Sequence, residues 1–306
     1  MPKPKFKHVV EYGLLRVLIV FFQWLPYRCA LAVAWALAFL LHFGLRFRAR
    51  EAHRRIREAI GEELPASRVR RIAWISFRNI CFNAVEIVRL PRTSRAWMDR
   101  HVRLESPEAI RTQFPGAGCV VLATLHIGNW DLMGIKAHLA GYPIFFIARR
   151  QKNPLTDAYL NRMRGVTGVK TLLNDEHIVR EVLRQLRAGQ WLALLPDVRY
   201  RQPAMRVPFL GKEANLAEGA ALFARQTNAP IIPMVPVREG WTRHVCTRYP
   251  AIYPDPAADK KEDIRRMMRE LMDVFTRCIR EHPEQYFWYN KRWVLEPLTD
   301  EESAAS

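Results

Sequence analysis

Residues 119–131 read CVVLATLHIGNWD: a short apolar run, then a histidine, a glycine-containing turn and a carboxylate. An apolar run of this length closed by turn residues predicts a buried strand over 119–125. Gly128 permits a tight turn, Asn129 is of the type that caps a helix start, and 130–140 reads as the helix that follows. The same alternation recurs downstream. Apolar runs at 143–148, 191–195 and 231–237 predict further buried strands, with helices over 155–164, 177–188 and 216–227 between them. Strand–helix alternation predicts an α/β fold, a central mostly parallel or mixed sheet flanked by helices. In such sheets ligands sit beyond the carboxyl ends of the strands, so the residues directly after each apolar run are the ones to inspect.

Outward from this core, 51–92 is helical and basic, with Ile72, Ile75, Phe77, Ile80, Ala84 and Val88 near helical spacing until Pro91 ends the run. Towards the carboxyl end, 260–281 predicts a helix whose stripe Ile264, Met267, Met268, Leu271, Phe275, Cys278 and Ile279 packs on the sheet. Residues 299–306 read as a polar tail.

The amino-terminal end is different in kind. Residues 12–25 carry a single charge, Arg16, and after Pro26 the stretch 29–45 has His42 as its only ionisable group. Lys3, Lys5 and Lys7 precede the pair, and Arg46, Arg48, Arg50, Arg54, Arg55 and Arg57 follow it. Apolar helices with basic flanks predict association with an anionic leaflet, as a span or a re-entrant pair. The competing readings are a cleaved signal peptide, for which the apolar region is too long, and a pair of buried core helices. These boundaries divide the chain into a membrane-associating segment 1–50, a domain 51–298 (helical 51–92, α/β core about 116–255) and the tail.

The formal charge of +18 over 306 residues asks for an acidic partner: anionic lipid, nucleic acid or an acidic protein. No zinc-finger or RRM signature supports nucleic acid. The five cysteines form no CxxC pair, which removes a disulfide framework or zinc ribbon and suits a reducing compartment. No ligand set for a metal and no cofactor motif is visible, and without a G-x-S-x-G a serine-hydrolase reading lacks its nucleophile.

His126 and Asp131 are the candidate chemical pair: such spacing is common by chance, but its place at a strand end within a glycine-containing turn favours a functional reading. Their spacing of five does not share one helix face, but across a strand-to-helix turn a carboxylate folds back towards an imidazole, fixing its tautomer and stabilising the imidazolium. ATLHIGNWDLMG thereby resembles the H-x4-D/E motif of the lysophospholipid acyltransferase superfamily, and within it the lipid A biosynthesis lauroyl/myristoyl acyltransferase family. Further pieces follow in that family's order: ARRQKNPL at 148–155, LLPD at 194–197, PFLG at 208–211, APIIPMV at 229–235 and PEQYFWYNKRW at 283–293. The likeness covers nearly the whole chain.

The resemblance implies a glycerol-phosphate-acyltransferase-like layering and transfer of a fatty acyl group from acyl carrier protein to a hydroxyl of a lipid A precursor or related glycolipid. It would act at the cytoplasmic side of a bacterial inner membrane, without metal, cofactor or nucleic acid. His126 is the expected general base and Asp131 its orienting acid. Gly128 and Asn129 are expected to offer backbone N–H groups to the oxyanion. Arg149, Lys152 and Asn153 are expected to bind phosphate, and Asp197 to line the site or cap a turn. Asp131 stands where lauroyl-type members more often carry Glu, and Asp also occurs in relatives that acylate phosphatidylinositol mannosides. The acceptor therefore stays open among lipid A precursors, mannosylated lipids, lysophospholipids and ornithine lipids.

Overall fold

A computed structural model describes residues 5–104, 109–110, 112, 118–148, 150–174 and 176–298. Arg149 and the tail 299–306 lie outside them. In chain order the helices are α1 Phe6–Trp24, α2 Tyr27–Phe39, α3 Ala49–Ile60, α4 Ala66–Val88, α5 Arg95–His101, α6 Trp130–Leu139, α7 Pro154–Val166, α8 Ile178–Arg187, α9 Gly219–Thr227 and α10 Lys260–Glu281. The strands are β1 Val102–Leu104, β2 Val121–Ala123, β3 Ile144–Ala148, β4 Lys170–Leu173, β5 Trp191–Leu194, β6 Met205–Phe209, β7 Lys212–Leu216, β8 Ile231–Glu239 and β9 Arg243–Arg248.

Seven strands form one sheet in the order β1-β9-β8-β2-β5-β3-β4. β8, β2, β5, β3 and β4 run parallel, whereas β9 pairs antiparallel with β8 and carries β1 parallel to itself. The mixed α/β sheet expected from the sequence is therefore the architecture. The apolar runs mark its centre: β2 is buried along its length, because helices cover both faces. Residues of α4, α8, α9 and α10 pack on one face, and residues of α1, α5, α6 and α7 on the other. The predicted stripe of α10 is that helix's buried face, and Asp259 caps its start by accepting from the N–H groups of Lys261 and Glu262.

The structure departs from the sequence expectation in two places. The helical stretch 51–92 is two helices, broken between Gly61 and Pro65. β1, β4 and β9 are short or charged strands at and near the sheet edges, without the apolar run that marked the centre. PFLG turns a hairpin: β6 and β7 join through Leu210 and Gly211, both at positive φ, and Lys212 pairs with Glu58 of α3 at 2.8 Å.

The amino-terminal helices dock on the body rather than entering its core. α1 buries only Ile19, and α2, continued by a π turn at Leu40–Gly44, buries Ala30, Leu31, Ala34 and Ala38 against α4. Phe6, Leu14, Val17, Trp24, Leu40 and Leu45 are all more than half exposed. Tyr27–Gly44 is, among the described residues, the one segment long and apolar enough to cross a membrane. Side chains also pin the pair: the Gln23 amide donates to Val88 O at 2.7 Å, and the Arg89 guanidinium donates to the carbonyls of Phe22 and Leu25.

Candidate active site

Ala123 of β2 and Leu194 of β5 are paired in register on neighbouring parallel strands. His126 follows the first by three residues and Asp197 follows the second by three, so both side chains emerge at one carboxyl edge. Asp197 grips His126 at two points. One carboxylate oxygen accepts from the His126 backbone N–H at 2.8 Å, and the other meets the imidazole Nδ1 at 2.8 Å. A carboxylate on Nδ1 places the proton there and leaves the Nε2 lone pair outward. The Asp197 side chain is fully buried, while His126 keeps 20% of its side chain exposed.

Two aromatic residues wall the imidazole: Trp130 packs edge-on at 4.9 Å between centroids, and Phe287 lies at 6.3 Å. Burial alone would lower the His126 pKa. The charge and hydrogen bond of Asp197, with a smaller contribution from Asp131, outweigh it, and Arg292 opposes them; the pKa ends above the ordinary histidine value. Behind Asp197, the buried Tyr286 hydroxyl is hydrogen-bonded to the carboxylate. Burial and that negative charge push the phenol far above its usual pKa, so it stays protonated and donates.

Asp131 sits in the first turn of α6 and is exposed. Its charge reaches His126, but the hydrogen bond on Nδ1 belongs to Asp197. The sequence could place a carboxylate near the imidazole, and the structure brings two.

The turn between His126 and Asp131 is held from several sides. Gly128 has φ +53°, and a Cβ there would lie 2.2 Å from Pro236 O, so only glycine fits. Its N–H donates to Gln285 O at 3.1 Å, which corrects the expectation of an oxyanion donor at this amide: the group is already committed. Next to it, the Phe287 N–H donates to His126 O at 2.8 Å, so the segment at 285–287 strands onto the turn. Asn129 caps α6, its Oδ1 accepting from Leu132 N at 3.1 Å, and its Nδ2 donates to Glu86 of α4 at 2.7 Å.

That glutamate is fully buried with Arg238, whose two guanidinium nitrogens reach its two oxygens at 2.8 and 2.6 Å. Burial would raise the Glu86 pKa, but Arg238 and His244 hold it well below the carboxylate range. Burial dominates at His244 instead and lowers its pKa.

The remaining expected site residues separate. Lys152 is exposed in the bend before α7. Asn153 is committed to structure: its Oδ1 accepts from Leu155 N at 3.1 Å, and its Nδ2 donates to His8 O of α1 at 3.0 Å. Its assignment to phosphate gives way to capping α7 and tying down α1. Sequence reasoning missed Tyr286, Arg292 and Glu86 as parts of this region.

A family described as "Bacterial lipid A biosynthesis acyltransferase" matches residues 2–294 of this chain. The chain belongs to that family. It is similar to the lipid A biosynthesis lauroyltransferase of Escherichia coli K12, 24% identical over 286 residues that cover 89% of this chain and 88% of that protein. It is also similar to the phosphatidylinositol mannoside acyltransferase of Mycolicibacterium smegmatis, 24% identical over 224 residues, 72% of this chain and 71% of that one. The corresponding protein of Mycobacterium tuberculosis H37Rv is 26% identical over 181 residues, 58% of this chain and 55% of that one. This acyltransferase thus carries its His126–Asp197 pair at the sheet edge where α/β enzymes place their ligands.

Proposed function

We propose that this acyltransferase moves a fatty acyl chain from acyl-acyl carrier protein to a hydroxyl of a lipid A precursor or related glycolipid, with His126 as general base. The observation that carries the reading is the two-point grip of Asp197 on His126, which leaves Nε2 unprotonated and outward. Nε2 takes the proton as the acceptor oxygen attacks the thioester carbonyl. The tetrahedral intermediate then collapses, the C–S bond breaks as the ester forms, and the departing thiolate recovers the proton from the imidazolium. Asp197 neutralises that imidazolium at 2.8 Å, and Asp131 adds a second negative charge from the rim. Arg292 is the cation whose field reaches His126 and opposes the two carboxylates. Lys152, with Arg149 beyond the described residues, is assigned to acceptor phosphate.

The exposed apolar residues of α1 and α2, flanked by Lys5, Lys7, Arg46 and Arg50, support seating of residues 1–50 in an anionic leaflet. Because α2 packs along α4, the pair is assigned to the interface plane rather than to a span, with the domain 51–298 on the cytoplasmic side. Mannosylated lipid is the second acceptor class, favoured by the likeness to the mycobacterial enzymes and by Asp131.

The test uses purified protein with acyl carrier proteins of several chain lengths and a panel of lipid acceptors, read by mass spectrometry. One acyl mass added to a lipid A precursor, and lost by about 10³-fold or more in His126→Ala, is expected. Acylation of a mannosylated lipid alone keeps the mechanism and moves the acceptor. Transfer that survives in His126→Ala ends the assignment of the base.

A further inference from the structure

Pro26 and Tyr27 form the corner between α1 and α2, the two helices with exposed apolar faces. The Tyr27 ring turns inward, edge-on to Trp97 at 5.1 Å and to His101 at 5.4 Å, and its hydroxyl donates to Glu86 Oε1 at 2.6 Å. The other Glu86 oxygen accepts from Asn129 Nδ2 at 2.7 Å. Asn129 lies three residues beyond His126 and caps the helix that begins there. The corner of the apolar pair is therefore two hydrogen bonds from the turn that carries His126.

The rest of the cluster points the same way. Asn83, almost one turn earlier on α4, donates to Gly128 O and accepts from Arg238 at 2.6 Å. Gln285 bonds the Arg238 backbone through its side-chain amide, and its own carbonyl receives the Gly128 N–H. His244 adds a contact to Glu86 at 3.1 Å. Two fully buried charges are costly to desolvate, and well-packed apolar residues of the same volume commonly serve stability as well. What this cluster does that an apolar core would not is fix the direction of the 128–129 backbone.

We propose that Glu86 and Tyr27 are positioning residues for His126, so that the corner of the amino-terminal helix pair is part of the active site. This rests on the reading of His126 as the base. Tyr27 sets one side of the Glu86 carboxylate; Asn129, oriented by the other side, sets the turn on which His126 is presented.

Tyr27→Phe deletes one hydroxyl and leaves the other four donors on Glu86, so it is the variant that keeps the fold. Glu86→Gln is the stronger perturbation. Ile72→Val, on the same helix α4 in the main core, supplies a destabilised comparator away from the cluster. Three readouts are taken: steady-state acyl transfer, thermal midpoint, and the rate of diethylpyrocarbonate modification of His126 at neutral pH, resolved by peptide mass spectrometry. The exposed His177 is the internal control.

In Tyr27→Phe, kcat is expected to fall roughly tenfold with KM for donor and acceptor unchanged, and further in Glu86→Gln. His126 is expected to be modified faster relative to His177, while Ile72→Val lowers the midpoint without either effect. Unchanged kcat and unchanged His126 reactivity in Tyr27→Phe would overturn the proposal. So would losses that merely track the thermal midpoint as they do in Ile72→Val. Should the wild-type protein transfer no acyl group to any acceptor, the reading of function fails separately, and His126 reactivity still decides the positioning claim.

Discussion

The turn after β2 and the turn after β5 each bring a carboxylate to His126, in opposite surroundings. Asp197 is buried, holds both the backbone and the ring of His126, and is itself held by Tyr286. Asp131 is exposed at the start of α6, where the helix terminus already favours a negative charge, and acts on the imidazole through its field. A buried, hydrogen-bonded carboxylate dictates tautomer and orientation. An exposed one only biases charge, because water screens it. The acid adjacent in sequence is thus the weaker partner, and the acid 71 residues away is the stronger one.

Asp197→Asn should break the comparison most sharply. The His126 backbone N–H must still be accepted, so the single amide oxygen faces it and the NH₂ group faces Nδ1. That arrangement turns Nδ1 into an acceptor and moves the proton onto Nε2, which can no longer act as base. A loss of about 10³–10⁴-fold in kcat is expected, with the fold retained. The pH profile carries a second sign. With His126 as the proposed base, catalysis needs the unprotonated ring, and its pKa lies above the ordinary histidine value, so activity is expected to fall as pH drops through that raised pKa. Without the Asp197 charge, burial and Arg292 dominate, and the limb of the residual activity should move to lower pH. A limb that stays in place would move control of the base from Asp197 to Asp131.

Gly128→Ala probes the link between the two turns. A Cβ 2.2 Å from Pro236 O, on a residue at φ +53°, forces the backbone to move. A loss of about 2–4 kcal/mol in unfolding free energy is expected, measured by denaturant titration. Activity should fall beyond what the lost folded fraction explains, because the displaced segment carries both His126 and the start of α6.

Sequence reached one half of this site for a local reason. A strand-ending histidine, Gly128 and the capping Asn129 are neighbours in the chain, and turn chemistry is read from neighbours. The partnership with Asp197 depends instead on strand register: Ala123 opposes Leu194, and equal offsets of three then bring the side chains together. LLPD was visible as a strand ending in an acid, but nothing local says which strands are adjacent. Tyr286 and Arg292 arrive on a segment that pairs with the turn only after the chain has closed. Glu86 did leave a local trace, as the lone carboxylate in AVEIV on an otherwise apolar and basic helix; a charge at such a position signals a buried partner without naming it. The central strands are legible as apolar runs, whereas β4 and β9 carry charged residues and present no comparable run.

Asp131→Asn is the smallest of these perturbations and the one that sharpens the contrast. It removes a charge without removing volume, from an exposed site at the helix start, and leaves the hydrogen bond on Nδ1 with Asp197. Stability should change by under about 1 kcal/mol, as for an exposed charge at a helix terminus. A fall in kcat of roughly tenfold is expected, from weaker stabilisation of the imidazolium, and that fall should shrink as salt is raised in the wild-type comparison, since screening already removes part of the Asp131 field. The Asp197→Asn deficit should be indifferent to salt, because its cause is a buried tautomer. If Asp131→Asn instead matched Asp197→Asn in depth and in salt independence, Asp131 would have to make a direct bond in the working complex. The turn after β2 would then close on substrate until the exposed carboxylate became a buried one.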